Sequence, residues 1–445
     1  MNISIIGTGY VGLVTGVCLA DKGHAVTCVD LNEEKVAAIN AGETPIYEPG
    51  LTELLDKHIH HHGGNLSATT DLEKAVLGSE LTFIAVGTPF DGKTIDLTFI
   101  RRCAAQIGAA LRKKETYHVV VVKSTVVPGT TDGVVLPILE KESGKRAGGG
   151  FGVGMNPEFL SEGSAVADFL NPDRIILGGN DERTQFKLNE VYASFTGVPM
   201  LATPNTTAEM IKYASNALQA TLISFSNEIG NLCSDLGDVD SVDVMKGVHL
   251  SQYLHSVNSK KPAPIVSFIS AGCGFGGSCF PKDVKALVAH GQRYGSPMSL
   301  LTEVLRINEE QPERMVRLLK EHVEDLRGMP VTILGLAFKP ETDDVRETPA
   351  LPIIDLLLAE GAKIFAYDPV AMPVAKEAFA EREITYCDSL EEALERGEAL
   401  VLVTSWKEFA KIPEMIKKRG LAPILIDGRR QLAKDSVKHY AGIGL

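Results

Sequence analysis

The stretch ISIIGTGYVG, residues 3–12, constrains this chain more than any other ten residues. A short apolar run of strand type meets glycines at 7, 9 and 12, and helix-type sequence follows at once. Each glycine has a physical task. Gly7 permits a tight turn, Gly9 lets backbone approach a pyrophosphate, and Gly12 lets the helix pack on the strand. The helix N-terminus adds free amides and a positive dipole end. The next apolar run, AVTCVD, ends in Asp30. A carboxylate there accepts hydrogen bonds from a ribose diol and repels a 2′-phosphate, which favours NAD over NADP. A helix–strand crossing that needs glycine only for packing would account for the glycines but not for the acid.

The same texture continues through the first two hundred residues. LTFIAVGTP and HVVVVKSTVVPG are buried-type strands that end in turn residues, and FGVGMNPEFLSEG follows a Gly-rich loop. Strands of this kind, alternating with helices, form a parallel sheet covered on both faces. From Thr206 a helical period runs for some thirty residues, with Thr206 or Thr207 as the expected cap and Glu209 in the first turn. From Met329 the alternation returns in PVTILGLAF, KIFAYDP, ALVLVTSW and APILIDGR. The expected fold class is α/β: two Rossmann-like, doubly wound parallel-sheet domains joined by a long central helix and a helical middle domain. The boundaries are 1–203, 204–325 and 326–445.

Composition excludes several roles. A net charge of −13 argues against nucleic acid or an anionic membrane as partner. The N-terminus lacks the pattern of a signal peptide, and no run of about 18 apolar residues suggests a membrane span. Seven cysteines, without a CxxC pair, suit a reducing cytoplasm and no metal site. The tract HIHHHGG, 58–64, matches no ligand spacing and reads as a solvated loop.

One cysteine stands apart. In AGCGFGGSCFPKD, 271–283, Cys279 lies in a glycine-rich loop beside Lys282 and Asp283. The glycines leave room for a substrate, and a nearby ammonium favours thiolate, so Cys279 reads as a nucleophile. Cys273 lacks that flank and reads as structural. Lys212 and Asn216, four apart on the long helix, share a face that is either a solvated edge or the wall of a cleft. Glu158 and Glu162 have the same spacing after a strand end. They act on protons or water, or they begin a helix, where acids are favourable. Thr88 and Thr125, at the ends of later strands, either line the cofactor or serve as turn residues.

These residues are familiar together. GTGYVG, TPIYEPGL, NPEFLSEGSAVADF, AEMIKYASNA, GFGGSCFPKD and GLAFKPETDDVRETPA resemble the UDP-glucose 6-dehydrogenase and GDP-mannose 6-dehydrogenase family, from residue 1 to beyond residue 400. The resemblance implies a dimer built on the long helix and oxidation of a sugar C6 alcohol to an acid with two NAD. Cys279 would be the nucleophile, with Lys212, Asn216, Asp283, Glu158, Glu162 and Thr125 around the chemistry. Gly7, Gly9, Tyr10, Val11, Gly12, Asp30, Lys35, Thr88, Thr125, Glu162, Lys282 and Arg346 would meet the cofactor. Glu158, Phe159, Leu160, Lys212, Asn216, Gly276 and Lys339 would meet the sugar nucleotide.

One segment departs from the family pattern. KKPAPIVSF, 260–268, has Ala263 where relatives often carry an arginine that contacts the sugar. LNPDRIILGG and SCFPKD are similar to the UDP-glucose branch, whereas SGKRAGGGFGVGMNPEF is also similar to the GDP-mannose branch. Two rivals complete the field: a single-step hydroxyacid dehydrogenase, which needs no cysteine, and an NAD-binding sensor without turnover.

Overall fold

The structure is a computed structural model and describes residues 1–60, 63–256 and 261–445. The chain divides into two compact units, Met1–Ala214 and Ser215–Leu445.

The first unit is built on an eight-stranded sheet: β1 (Asn2–Ile6), β2 (Ala25–Val29), β3 (Leu66–Thr69), β4 (Leu81–Ile84), β5 (His118–Val122), β6 (Phe151–Met155), β7 (Ile175–Gly179) and β8 (Met200–Thr203). Their order is β3-β2-β1-β4-β5-β6-β7-β8. All pairings are parallel except β6 with β7, which is antiparallel. The all-valine run of β5 is buried along its whole length because both faces are covered. Val119 and Val121 enter one core and Val120 and Val122 the other, as alternation along a strand requires. Each buried valine contributes roughly 1.5–3 kcal/mol.

The second unit carries a six-stranded sheet of β9 (Pro330–Leu334), β10 (Lys363–Tyr367), β11 (Ile384–Tyr386), β12 (Ala399–Leu402), β13 (Ile424–Asp427) and β14 (His439–Gly442). Its order, β11-β10-β9-β12-β13-β14, repeats the first sheet's β3-β2-β1-β4-β5-β6. In both sheets the order reverses at the first strand, between β1 and β4 and between β9 and β12. Open α/β sheets bind ligands at that point, beyond the carboxyl ends of the strands.

The long helix runs Asn205–Leu236. It starts earlier than Thr206 or Thr207 capping would allow, and both threonines lie within it. Glu209 does not serve its own helix start. Its carboxylate accepts from Gly129 N (2.5 Å), Thr131 N (2.7 Å) and Thr131 Oγ1 (2.7 Å), and so fixes the loop after β5. The histidine tract is not simply a solvated loop. His58 and His60 end the helix Leu51–His60, and His58 is buried against Asp21 and Asn65. Residues 61 and 62 lie outside the described residues, as does Lys260 of the departing segment. Among the described residues, no helix is long and apolar enough to cross a membrane.

Candidate active site

In the first unit, β1 delivers the glycine turn. Gly7 adopts φ +100°, and a β-carbon on Gly12 would overlap the Gly7 carbonyl. A β-carbon on Gly9, by contrast, would meet nothing within 4 Å, so the turn is open where a pyrophosphate would approach. The helix Tyr10–Asp21 begins directly behind it, with Val11 in its first turn. Asp30 stands at the end of β2, as expected, and accepts from Thr8 N (2.9 Å), Thr8 Oγ1 (2.6 Å) and Asn32 N (3.0 Å). Burial alone would raise its pKa. The Thr8 hydroxyl, the two amides and Lys35 outweigh that and hold the carboxyl below its usual range. Thr88 donates its hydroxyl to the Thr125 carbonyl at 2.7 Å, which joins the ends of two strands. These features fit a dinucleotide.

Tyr10 has a further task that the sequence did not show. Its hydroxyl donates to Glu48, and Gly163 N donates to the Tyr10 oxygen (2.9 Å) and to Glu48 Oε2 (2.7 Å). Burial and the Glu48 carboxylate push the phenol pKa well up. Glu48, from the TPIYEPGL motif, thereby ties the glycine-turn helix to the loop of Glu158 and Glu162.

That loop, 156–164, is irregular, and the following helix is Ala165–Leu170. The helix-start reading of the two acids therefore falls. Glu158 Oε1 pairs with Lys212 Nζ at 2.9 Å, with side chains only 6% and 4% exposed. The solvated-edge reading of Lys212 falls as well. Glu158 Oε2 also accepts from Leu160 N at 2.7 Å. Burial works to raise its pKa, but Lys212, the Leu160 amide and Lys123 hold it below the usual carboxylate value. Phe159 turns its ring toward the Arg174 guanidinium (4.0 Å) and Lys212 Nζ (5.6 Å).

In the second unit, Cys279 caps the N-terminus of the helix Phe280–Arg293, where the dipole favours negative charge on sulfur. The other six cysteines are buried, whereas Cys279 is partly exposed. One turn into the helix, Asp283 is 1% exposed; its Oδ2 accepts from Asn216 Nδ2 (2.7 Å) and its Oδ1 from Lys282 Nζ (2.5 Å). Lys282 is thus paired with Asp283. Arg346 chelates Asp344 at 2.8 and 2.7 Å, and Lys339 Nζ lies 5.6 Å from the Phe338 ring centre.

The glycines before Cys279 have a packing task of their own. A β-carbon on Gly276 would overlap the Glu347 carbonyl, and one on Gly277 would sit 2.7 Å from the Phe338 ring, at φ +82°. They let the loop lie against the segment after β9. The loop is then pinned through Cys273 N to Gly428 O (3.0 Å), Gly277 N to Arg346 O (2.9 Å) and Arg429 Nη1 to Gly274 O (3.1 Å). Cys273 is fully buried there, as its structural reading required.

Sequence reasoning missed Lys123, which helps to hold Glu158 ionised, and Glu48. The available signals were a lysine directly after an all-valine strand and an acid within a quoted motif.

Comparison with known proteins gives the family. Residues 1–196 match the UDP-glucose/GDP-mannose dehydrogenase family NAD binding domain, 206–310 its central domain and 332–434 its UDP binding domain. The UDP-glucose 6-dehydrogenase AglM of Haloferax volcanii is 43% identical over the full length of both chains. That of Rhizobium meliloti is 40% identical, over 100% of this chain and 99% of its own. The structure of a UDP-glucose dehydrogenase from Pyrobaculum islandicum superposes with a TM-score of 0.89 at 39% identity, covering 99% of this chain and 97% of that one. The chain belongs to the UDP-glucose/GDP-mannose dehydrogenase family and is an NAD-dependent oxidoreductase.

Proposed function

We propose that this enzyme oxidises the C6 alcohol of UDP-glucose to the carboxylate of UDP-glucuronate through thiohemiacetal and thioester intermediates on Cys279. The carrying observation is the partly exposed Cys279 at a helix N-terminus, one turn before the buried Asn216–Asp283 pair. The choice of sugar is supported by the names of the relatives, at 43% and 40% identity. The match to the UDP binding domain supports a uridine nucleotide.

NAD supplies the hydride acceptor for both oxidations, two molecules per sugar. Loss of hydride and a proton from the alcohol leaves an aldehyde, which is a poor second hydride donor. The Cys279 sulfur adds to the aldehyde carbon, a C–S bond forms, and the carbonyl electron pair moves to oxygen. The resulting tetrahedral carbon again carries a hydrogen that departs as hydride, leaving a thioester. Water attacks the thioester carbonyl, the C–S bond breaks, and the acid and the thiol are released. Lys212 stabilises the alkoxide-like oxygen at each stage. Asp283, oriented by Asn216, takes the proton of the attacking water, and Glu158 and Glu162 stand on the loop near C6. Lys339 takes the nucleotide, and Lys282 and Arg346 would help to hold the cofactor. The segments 1–203, 204–325 and 326–445 act as cofactor, central and nucleotide domains. The enzyme works as a homodimer in a reducing cytoplasm, where the Cys279 thiol stays reduced.

The test is an NADH-release panel with UDP-glucose, GDP-mannose, UDP-galactose and UDP-N-acetyl sugars, with product mass. UDP-glucose should give two NADH per sugar and the uronic acid. GDP-mannose as the preferred substrate would move the enzyme to the other branch. One NADH per sugar would support the single-step rival, and binding without turnover the sensor.

A further inference from the structure

Lys123 follows β5 directly and has no part in the scheme above. It is a buried cation, 3% exposed. Its Nζ donates to Asn156 Oδ1 at 2.9 Å and lies 5.7 and 5.9 Å from the ring centres of Phe83 and Phe169. Asn156 opens the loop that carries Glu158, and it is held on every side. Its Oδ1 also accepts from the Tyr192 hydroxyl (2.5 Å), its Nδ2 donates to Ile176 O (2.8 Å), and its amide donates to Val122 O (2.9 Å).

An ammonium in such a place is costly to desolvate unless an opposite charge is near. The charged groups that act on Lys123 are Glu158, from the loop after β6, and Lys212, from the long helix. Phe83 of β4, Phe169 and Tyr192 present rings and a hydroxyl, without charge. Glu158 already pairs with Lys212 at 2.9 Å. That pair alone is neutral, and an oxyanion beside Lys212 would also feel the Glu158 carboxylate. A second ammonium makes the set of three net positive.

We propose that Lys123 is a positioning residue of the oxidation site: it anchors Asn156 and the Glu158 loop, and its charge offsets Glu158 so that Lys212 meets a developing oxyanion with net positive charge. The oxyanion clause rests on the function proposed above. Burial pushes the Lys123 pKa down to about 8, with Glu158 opposing and Lys212 adding to the shift. The added charge is therefore present at neutral pH and is lost as pH rises through that value.

The experiment compares Lys123→Met and Lys123→Arg with wild type in three measurements. These are kcat and KM against pH, thermal stability, and infrared titration of the Glu158 carboxylate band, identified with Glu158→Gln. Lys123→Met should lower kcat by about 10- to 100-fold with KM for the sugar nucleotide little changed. It should raise the Glu158 midpoint by about one unit or more. Wild type should lose rate as pH rises through about 8, and Lys123→Arg should restore most of kcat and abolish that loss. An unmoved Glu158 midpoint in a folded Lys123→Met protein overturns the proposal. So does a folded arginine variant no better than methionine. If arginine does not fold, the methionine variant decides. If wild type oxidises no sugar nucleotide, the proposed function fails, and the infrared titration still decides whether Lys123 acts on Glu158.

Discussion

Asn216 donates its amide to the Asp283 carboxylate at 2.7 Å, and both side chains are buried. The contact joins the long helix to the helix that Cys279 begins. Asn216→Leu should therefore disturb Asp283 without touching the thiol, and Cys279→Ala should do the reverse. We expect Cys279→Ala to bind NAD and sugar nucleotide normally, form at most aldehyde, and make no acid. Asn216→Leu should still form the covalent intermediate but hydrolyse it slowly, so that the thioester accumulates in the mass spectrum of the quenched enzyme. Uronic acid from Cys279→Ala at the wild-type rate would make that cysteine structural.

The observed pairing of Lys212 with Glu158 and its proposed role at the oxyanion separate experimentally. As an oxyanion donor, its replacement by alanine should lower kcat by on the order of 10²–10³. As the partner of buried Glu158, its loss strands a carboxylate at a cost of about 3–5 kcal/mol. The double variant Lys212→Met/Glu158→Gln removes both charges of the pair but leaves buried Lys123 without its opposing carboxylate, so it should regain only part of the stability and none of the rate. A near-normal kcat with raised KM would make Lys212 a binding residue only.

Asp30 is held by Thr8 and Asn32 with its carboxyl below the usual pKa, so it is charged at every working pH. Asp30→Asn should narrow the preference for NAD over NADP. The specificity ratio from initial rates checks this; a wild type that uses both cofactors equally would remove Asp30 from cofactor selection.

His118 gives the fold an acid sensitivity. Its Nδ1 hydrogen bonds the Ser79 carbonyl (3.1 Å), so that nitrogen carries the proton, and Nε2 accepts from the Thr82 hydroxyl (2.8 Å). Burial, with Lys114 adding to it, pushes its pKa down to about 3 from 6.5. The unfolded chain takes up a proton below pH 6.5 and the folded one does not. The stability from neutral burial is thus complete above about 6.5 and is lost as pH falls toward 3. Urea unfolding should show a slope approaching about 1.4 kcal/mol per pH unit from this group between those values. His118→Gln should be less stable at pH 7 but flatter between pH 6.5 and 5. An unchanged slope would place the acid sensitivity elsewhere.

The long helix leaves Leu218, Phe225, Leu232 and Leu236 exposed at 56%, 46%, 53% and 60%. The first three are seven residues apart and form one stripe. We expect a homodimer through this face, the commonest closed symmetry. Light scattering at micromolar concentration should give twice the chain mass for wild type and the single mass for Leu218→Glu/Phe225→Glu. A monomeric wild type refutes it.

Local sequence was enough for the fold class, the glycine turn with Asp30, the long helix and the singular place of Cys279. These depend on short-range rules: side-chain period, the φ demands of Gly7, and the presence of an acid at a strand end. Tertiary structure alone decided the rest. Whether Lys212 was solvated or buried depended on Glu158, fifty-four positions away, reaching it at 2.9 Å. The purpose of Gly276 and Gly277 depended on Phe338 and Glu347, which no local pattern places against them. Glu48 is only one residue of TPIYEPGL in the sequence, and the fold alone brings Gly163 N to it. Lys123 carries no local signal of burial, because a lysine at a strand end is ordinarily solvated and only the rings of Phe83 and Phe169 and the Asn156 amide make it a buried charge. Charge and polarity at a site depend on what desolvates a group and what pairs with it, and in a sheet that brings distant segments together those partners are remote in sequence.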